Sequence, residues 1–442
     1  MKRSPLARGN ELVVRRRIHP AAFAVPSVLL ALVSCVEVQA FYRDAPPLAM
    51  DVPGRDVPRM DTLDLDVPEV DAEAVIGADA TRAVLASIGE RVIFADIVAF
   101  HERAQALEAA TAAALTGGPT ELEASRLAWR EAIAVFQRIE MLQVGPAGLV
   151  TSTTGGRGLR DVINGWPLIT TCRIDLNVVD PTYDDRAAIE AGPINARGLT
   201  ALEYLLFIDG TANSCPASSR INMDGSWAAL GEVGVGRRRA VYAHHLASLV
   251  LEHAAELRQA WDPTSGNFLG ALSSAGAGSA IYPSAQLGLN AISDALVYLY
   301  KEVVDYKVGI PAGIRIECPT DACPEQVESR WAHASLHHLR ENLGAFRDTY
   351  LGGPEGVDAP GFDDLVRSVG GTELDARIHD LIAQTFAALD AIDGTLEEAV
   401  ISEVAEVDEL ARLLRALGDA FRVEVVSLLD LSPAMRIEGD ND

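Results

Sequence analysis

Basic residues are in short supply in this 442-residue chain: 37 Lys and Arg stand against 63 Asp and Glu, a net charge of −26. Phosphate binding needs a basic face, so nucleic acid is excluded as a partner. Aromatic residues make up only 6%, and Ala and Leu outnumber Val and Ile in the long patterned segments, which favours helices over strands. No segment has the period-2 alternation of a half-buried strand. Catalytic signatures are missing as well. There is no Gly-x-Ser-x-Gly elbow. His101-Glu102 starts like the zinc-protease helix His-Glu-x-x-His, but the second ligand position is Gln105, so this stretch reads as a solvated helix face. Cysteine is limited to five residues, too few for a disulfide-built scaffold.

What is present begins with an export pattern. Lys2, Arg3, Arg8 and Arg15 to Arg17 precede a short apolar run that ends Leu32-Val33-Ser34-Cys35. A bilayer span needs about 20 apolar residues, so residues 1–35 read as a signal peptide. Its end resembles a lipobox, which makes Cys35 the expected lipidation site and the membrane the expected partner through that anchor. The expected location is therefore the cell envelope, facing the periplasm or the exterior. Residues 36–78 carry Asp at 51, 56, 61, 66 and 71, three of them in Asp-Val-Pro. An acidic, Pro-punctuated pentad repeat cannot bury a core and is expected to stay disordered as a linker.

From residue 79 onward the pattern is helical. Helices are expected over 83–115, 121–143, 237–261, 286–307, 325–350, 404–429 and a further segment capped by Thr372. Residues 147–196 are expected to be irregular, including a Gly- and Thr-rich loop at 151–158. The architecture is all-α, two helical-bundle domains in series over 79–222 and 223–434. On the 325–350 pattern, Ser329 falls on the buried stripe, and His333, His337 and Glu341 form a row at i, i+4 and i+8 that reads as a solvated face. An exported protein folds where thiols oxidise, so Cys172, Cys215, Cys318 and Cys323 are expected as two disulfides. Cys318 and Cys323 flank a short Pro-containing loop and pair with each other, which leaves Cys172 with Cys215.

The stretch Arg197-Gly-Leu-Thr-Ala-Leu-Glu-Tyr-Leu-Leu-Phe207 lies near the middle. On local chemistry Thr200-x-x-Glu203 is a capping box, each side chain serving a free N–H at a helix start. The same residues resemble the Gly-x-His-x-x-Glu segment of imelysin-like proteins, also called peptidase family M75. Gly198 and Glu203 match, and Thr200 stands where the family has His. Trp129 and Glu140, eleven residues apart, fit a second family pattern. Trp166-Pro167, Ile174-Asp175, Lys307-Val-Gly-Ile-Pro and Ser329 after a Glu fit others in order.

The resemblance covers roughly residues 80–433. It implies two related helical bundles with the motif residues in a cleft between them, in proteins that are exported and often tied to iron supply. Some of them have been classed as metallopeptidases. A catalytic zinc takes about three protein ligands, and Thr200 removes the motif's nitrogen. Thr200, Glu203 and Glu140 would suit a hard divalent cation or iron better than zinc, and no metal ligand set is assigned. The expectation is a non-catalytic binding protein, with candidate cleft residues Glu203, Thr200, Gly198, Glu140 and Ser329 and a small ligand or an envelope protein as partner. A metal-dependent peptidase is the alternative.

Overall fold

A computed structural model describes residues 77–433. The expected signal peptide, Cys35 and nearly all of the acidic linker lie outside the described residues. The chain enters through α1 (Ala78–Ile88), a π-wound turn (Gly89–Phe94) and α2 (Ala95–Ala114). Gly117-Gly118-Pro119 turns it into α3 (Pro119–Met141). Pro119 suits the first helical position, where no N–H is needed, and the Glu121 carboxylate accepts the Gly118 N–H at 2.7 Å. Trp129, Ala132 and Phe136 face inward as their spacing requires. The same helix also buries Gln137 and Glu140, two polar side chains that tie it to distant parts of the chain.

The segment read as irregular contains α4 (Leu159–Ile163) and α5 (Thr171–Val179). It leads into α6 (Gly198–Phe207), the central stretch. Next comes α7 (Ser226–Trp261), eleven residues longer at its start than the pattern indicated, with Gly231 out of helical conformation. The pattern over 286–307 divides into α8 (Ala285–Leu296) and a π-wound segment, Leu299–Gly309. The helix expected from 325 begins only at Ser335, as α9 (Ser335–Tyr350). His333 sits at φ 53°, a left-handed backbone that no helix propagates through. Ser329 and Ala332 are therefore buried in turns, not on a helical stripe. α10 (Thr372–Ala391) is preceded by Gly371, and the Thr372 side chain makes no cap. α11 (Val404–Asp419) continues into a third π-wound stretch, Ala420–Val425.

Among the described residues there is no strand; one isolated bridge joins Asn164 to Gly198. α2, α3, α6 and α7 pack together, and α9, α10, α11 and the π-wound Leu299–Gly309 form a second group. The two meet where α3 packs along α9. One apolar core runs through both, from Trp129, Phe136 and Trp261 to Leu343, Phe346 and Phe421.

Both expected disulfides are formed, with Cα–Cα separations of 4.5 Å for Cys172–Cys215 and 5.8 Å for Cys318–Cys323. They span 43 and 5 residues of sequence. On chain entropy alone, removing the longer cross-link should cost about 4 kcal/mol and the shorter about 2 kcal/mol. Denaturant unfolding of the two double-Ser variants checks this order. A larger loss from the short loop would mean that native packing dominates over loop closure.

Candidate functional site

Gly198 starts α6 at φ 80°, and a Cβ there would come within 2.7 Å of the Ile163 carbonyl oxygen. Only glycine fits both demands. The close approach lets α6 begin two residues before Thr200, so Thr200 is inside the first turn and is not its cap. Its Oγ donates to Asn164 Oδ1 at 2.5 Å, and its backbone N–H reaches the same oxygen at 3.2 Å. The start of α6 is also held by the Trp129 indole N–H on the Leu199 carbonyl, 2.8 Å. The capping-box reading of Thr200 and Glu203 is thereby corrected.

Glu203 points away from the helix start and is only 2% exposed. Its Oε1 accepts from Ser329 Oγ at 2.9 Å, the Trp331 N–H at 3.1 Å and the Ala332 N–H at 3.0 Å. The same loop is gripped from α3 by Arg130, which donates to the Ala332 carbonyl at 2.6 Å. Burial pushes the Glu203 carboxyl up to about 8, against the pull of its three donors. The glutamate of the motif thus acts as a clasp on residues 329–332. Beyond it, Trp331 packs edge-on to Tyr204, ring centres 5.2 Å apart. The Tyr204 hydroxyl donates to Asp175 at 2.8 Å, and Asp175 also receives the Ser214 N–H at 2.7 Å.

A second polar group is centred on Lys307, 1% exposed. Its Nζ donates to Gln137 Oε1 at 2.6 Å, Glu140 Oε2 at 3.0 Å and Asn342 Oδ1 at 3.0 Å. It also lies 3.0 Å from Glu328 Oε2. Arg160 donates to the other oxygen of Glu140 at 2.6 Å, and Gln137 Nε2 donates to Glu328 Oε1 at 2.8 Å. His338 Nδ1 is 3.1 Å from Glu328 Oε2, at ion-pair distance but without hydrogen-bond alignment. Burial alone would raise Glu328, but the Lys307 charge and the neighbouring His338 hold it well below the usual carboxylate range.

The five candidate residues thus fall in two places. Glu203 and Ser329 touch each other, with Gly198 and Thr200 at the head of the same helix, whereas Glu140 belongs to the Lys307 group. Sequence reasoning did not single out Gln137, Arg160, Asn164, Glu328, His338 or Asn342 as site residues, and it placed Lys307 only in a family pattern. A signal for Lys307 existed, because Val303, Val304 and Val308 surround it. A lysine that shares a helix face with Val303 and Val304, one turn back, has to be paired if that face is buried.

The donor set does not fit a catalytic zinc. Oε1 of Glu203 already takes three hydrogen bonds, the Thr200 hydroxyl is committed to Asn164, and an ammonium group sits between Glu140 and Glu328. His333 lies outside α9, 3.0 Å from Glu397, so it forms no row with His337 and Glu341. Among the described residues no three His, Cys, Asp or Glu side chains are grouped to hold a metal ion.

Against these two groups opens a pocket of about 500 Å³. Trp166, Tyr306 and Trp331 give it aromatic walls, and Glu317, Glu325 and Glu328 carry its acidic charge. Trp331 is held by the Glu203 clasp, and Glu328 runs from the pocket into the Lys307 group, whose ammonium lies 5.1 Å from the Trp166 ring centre.

The family model described as imelysin, peptidase M75, matches residues 93–422. Among solved structures the chain is similar to a protein named as an iron-regulated protein A precursor, from Parabacteroides distasonis ATCC 8503. There the TM-score is 0.64 at 18% identity, covering 81% of this chain and 97% of that one. It is also similar to an imelysin-like protein from Psychrobacter arcticum 273-4, with a TM-score of 0.58 at 15% identity, over 80% and 97% of the two chains. At these identities the likeness speaks for the fold alone. No curated protein matches the sequence.

Proposed function

This chain belongs to the imelysin family, and from that premise we propose that it is a non-catalytic binding protein of the cell envelope. In this reading Cys35 carries the lipid anchor and the acidic linker holds the helical part off the membrane. The pocket beside Trp166 and Trp331 takes a small ligand with a flat ring face, since ring stacking is what its walls offer. One solved relative is named as iron-regulated, which supports a role in iron acquisition here. The observation that carries the reading is the use made of Glu203. Its carboxylate shapes the pocket wall through three internal hydrogen bonds, where a hydrolase would aim it at a metal or a water.

Native mass spectrometry and metal analysis of protein purified from its own membrane fraction test this. The expected result is a co-purifying small molecule and no stoichiometric zinc. Trp331→Ala should weaken binding of that molecule by at least about tenfold, as loss of an aromatic anchor does. One tight zinc per chain, together with peptide cleavage lost in Glu203→Gln, would establish the hydrolase instead. Mass analysis of the mature N-terminus, with and without Cys35→Ala, tests the anchor.

A further inference from the structure

On the other side of Tyr306 from the cleft lies a second pocket, of about 480 Å³. It opens between two of the π-wound segments, Leu299–Gly309 and Ala420–Val425. π-winding re-aims side chains around a helix and recurs at functional sites. Here it brings Tyr300 and Lys301 from one segment opposite Arg422 from the other, with the Arg422 guanidinium 4.0 Å from the Tyr300 ring centre. Arg315 joins them from the turn that follows Gly309, its backbone N–H fixed on the Gly309 carbonyl at 3.1 Å. Val297, Val426 and Pro433 add apolar lining.

Charge in this pocket runs against the rest of the molecule. Three cationic side chains line it against one carboxylate, Asp305, in a chain of net charge −26. Arg315 lies 3.7 Å from Asp305 and 3.7 Å from Glu317, beyond hydrogen-bond reach. Its guanidinium therefore keeps donors unspent. Arg422 uses one side of its fork on Asp419, at 2.7 Å, and a guanidinium carries five N–H groups.

We infer that this pocket binds a small organic anion: a carboxylate- or sulfonate-type head held by Arg315 and Arg422, on a ring that lies against Tyr306. The volume suits a single ligand of that size. Arg is also the side chain that pairs such heads bidentately while stacking on aromatic faces. The site is separate from the Glu203 cleft and does not depend on what that cleft binds.

Fluorescence titration of the full chain with 8-anilinonaphthalene-1-sulfonate, beside its uncharged analogue N-phenyl-1-naphthylamine, tests the inference. The sulfonate should bind saturably at one per chain and about tenfold more tightly than the neutral dye, the value of one charge-assisted contact. Arg315→Met and Arg422→Met should each weaken the sulfonate about tenfold. Arg315→Lys should recover part of that loss, and Trp331→Ala should change nothing. Melting curves confirm that each variant is folded, and the two Arg positions lie on different segments, so one informs if the other unfolds. Equal affinity for the two dyes, or sulfonate affinity unmoved by both Arg variants, would overturn the proposal. So would loss of binding in Trp331→Ala alone, which would assign the dye to the cleft.

Discussion

Replacing Lys307 by methionine should lower the unfolding free energy by about 3–5 kcal/mol, the usual penalty for removing one partner of a buried ion pair. Methionine nearly reproduces the volume of the lysine stem, so the loss reports charge and hydrogen bonding rather than a cavity. Two carboxylates share this ammonium, Glu140 and Glu328, 0% and 6% exposed. Glu140 keeps Arg160 in the variant. Glu328 keeps only the Gln137 amide and the misaligned His338, so most of the penalty falls there.

The same group sets the sign of the pH dependence. In the native protein the Glu328 carboxyl is held below its unfolded value. Its contribution to stability is therefore full above the unfolded value and is lost as pH falls. Without Lys307, burial raises the same group, and the folded state then weakens as pH rises. The gap between native and variant protein should widen from about pH 4 towards pH 8. Adding Glu328→Gln to Lys307→Met should return part of the loss, because it removes the stranded charge. Urea unfolding at the two ends of that range measures all three proteins. A loss below about 1 kcal/mol at pH 8 would mean that water enters the group and solvates the carboxylates.

The all-α class was legible because periodicity and composition both operate within one helix. Trp129, Ala132 and Phe136 could be placed on a buried stripe without knowing what they packed against. The central motif was harder for a physical reason. Thr200 and Glu203 have the spacing of a capping box, and spacing says nothing about a helix that begins two residues early. What allowed the early start was the fit of Gly198 against the Ile163 carbonyl, set by a contact 35 positions away. The partners of Glu203 lie 126 to 129 residues further on, in a segment whose apolar repeat imitated a helix. Ser329 and Ala332 keep that repeat because they are buried, although the left-handed residue His333 stops the helix from reaching them. Family resemblance did bring Glu203 and Ser329 forward together, and they are in contact. It could not show that their contact is with each other rather than with a ligand.

Glu203→Gln should abolish a pH dependence of stability that the native protein shows, and Glu203→Ala should cost about 3–5 kcal/mol. Burial raises the folded-state carboxyl to about 8 from an ordinary value of 4.5. Between those values the folded protein holds a proton that the unfolded chain releases. Stability should therefore fall as pH rises through that window and level off above about 8. Asp96, raised to about 6 by burial beside Arg138, adds a slope of the same sign below that value. The native protein must therefore be compared with the Gln variant, in which only the Glu203 part is missing.

Glutamine keeps an oxygen for the Ser329, Trp331 and Ala332 donors and is neutral at every pH, so it should match native stability near pH 5 and exceed it near pH 8. Alanine leaves three buried donors unpaired, each worth about 1–3 kcal/mol, and residues 329–332 lose their clasp. Amide hydrogen exchange at Trp331 and Ala332 should then speed up in Glu203→Ala and stay near native in Glu203→Gln. With its wall loosened, the pocket should also hold its ligand more weakly in the Ala variant alone. If native and Gln proteins showed the same pH profile, Glu203 would be ionised throughout, its three donors outweighing burial. Equal exchange rates in all three proteins would remove the clasp itself and leave Trp331 positioned by Tyr204 and by Arg330, whose guanidinium lies 4.4 Å from the Trp331 ring centre.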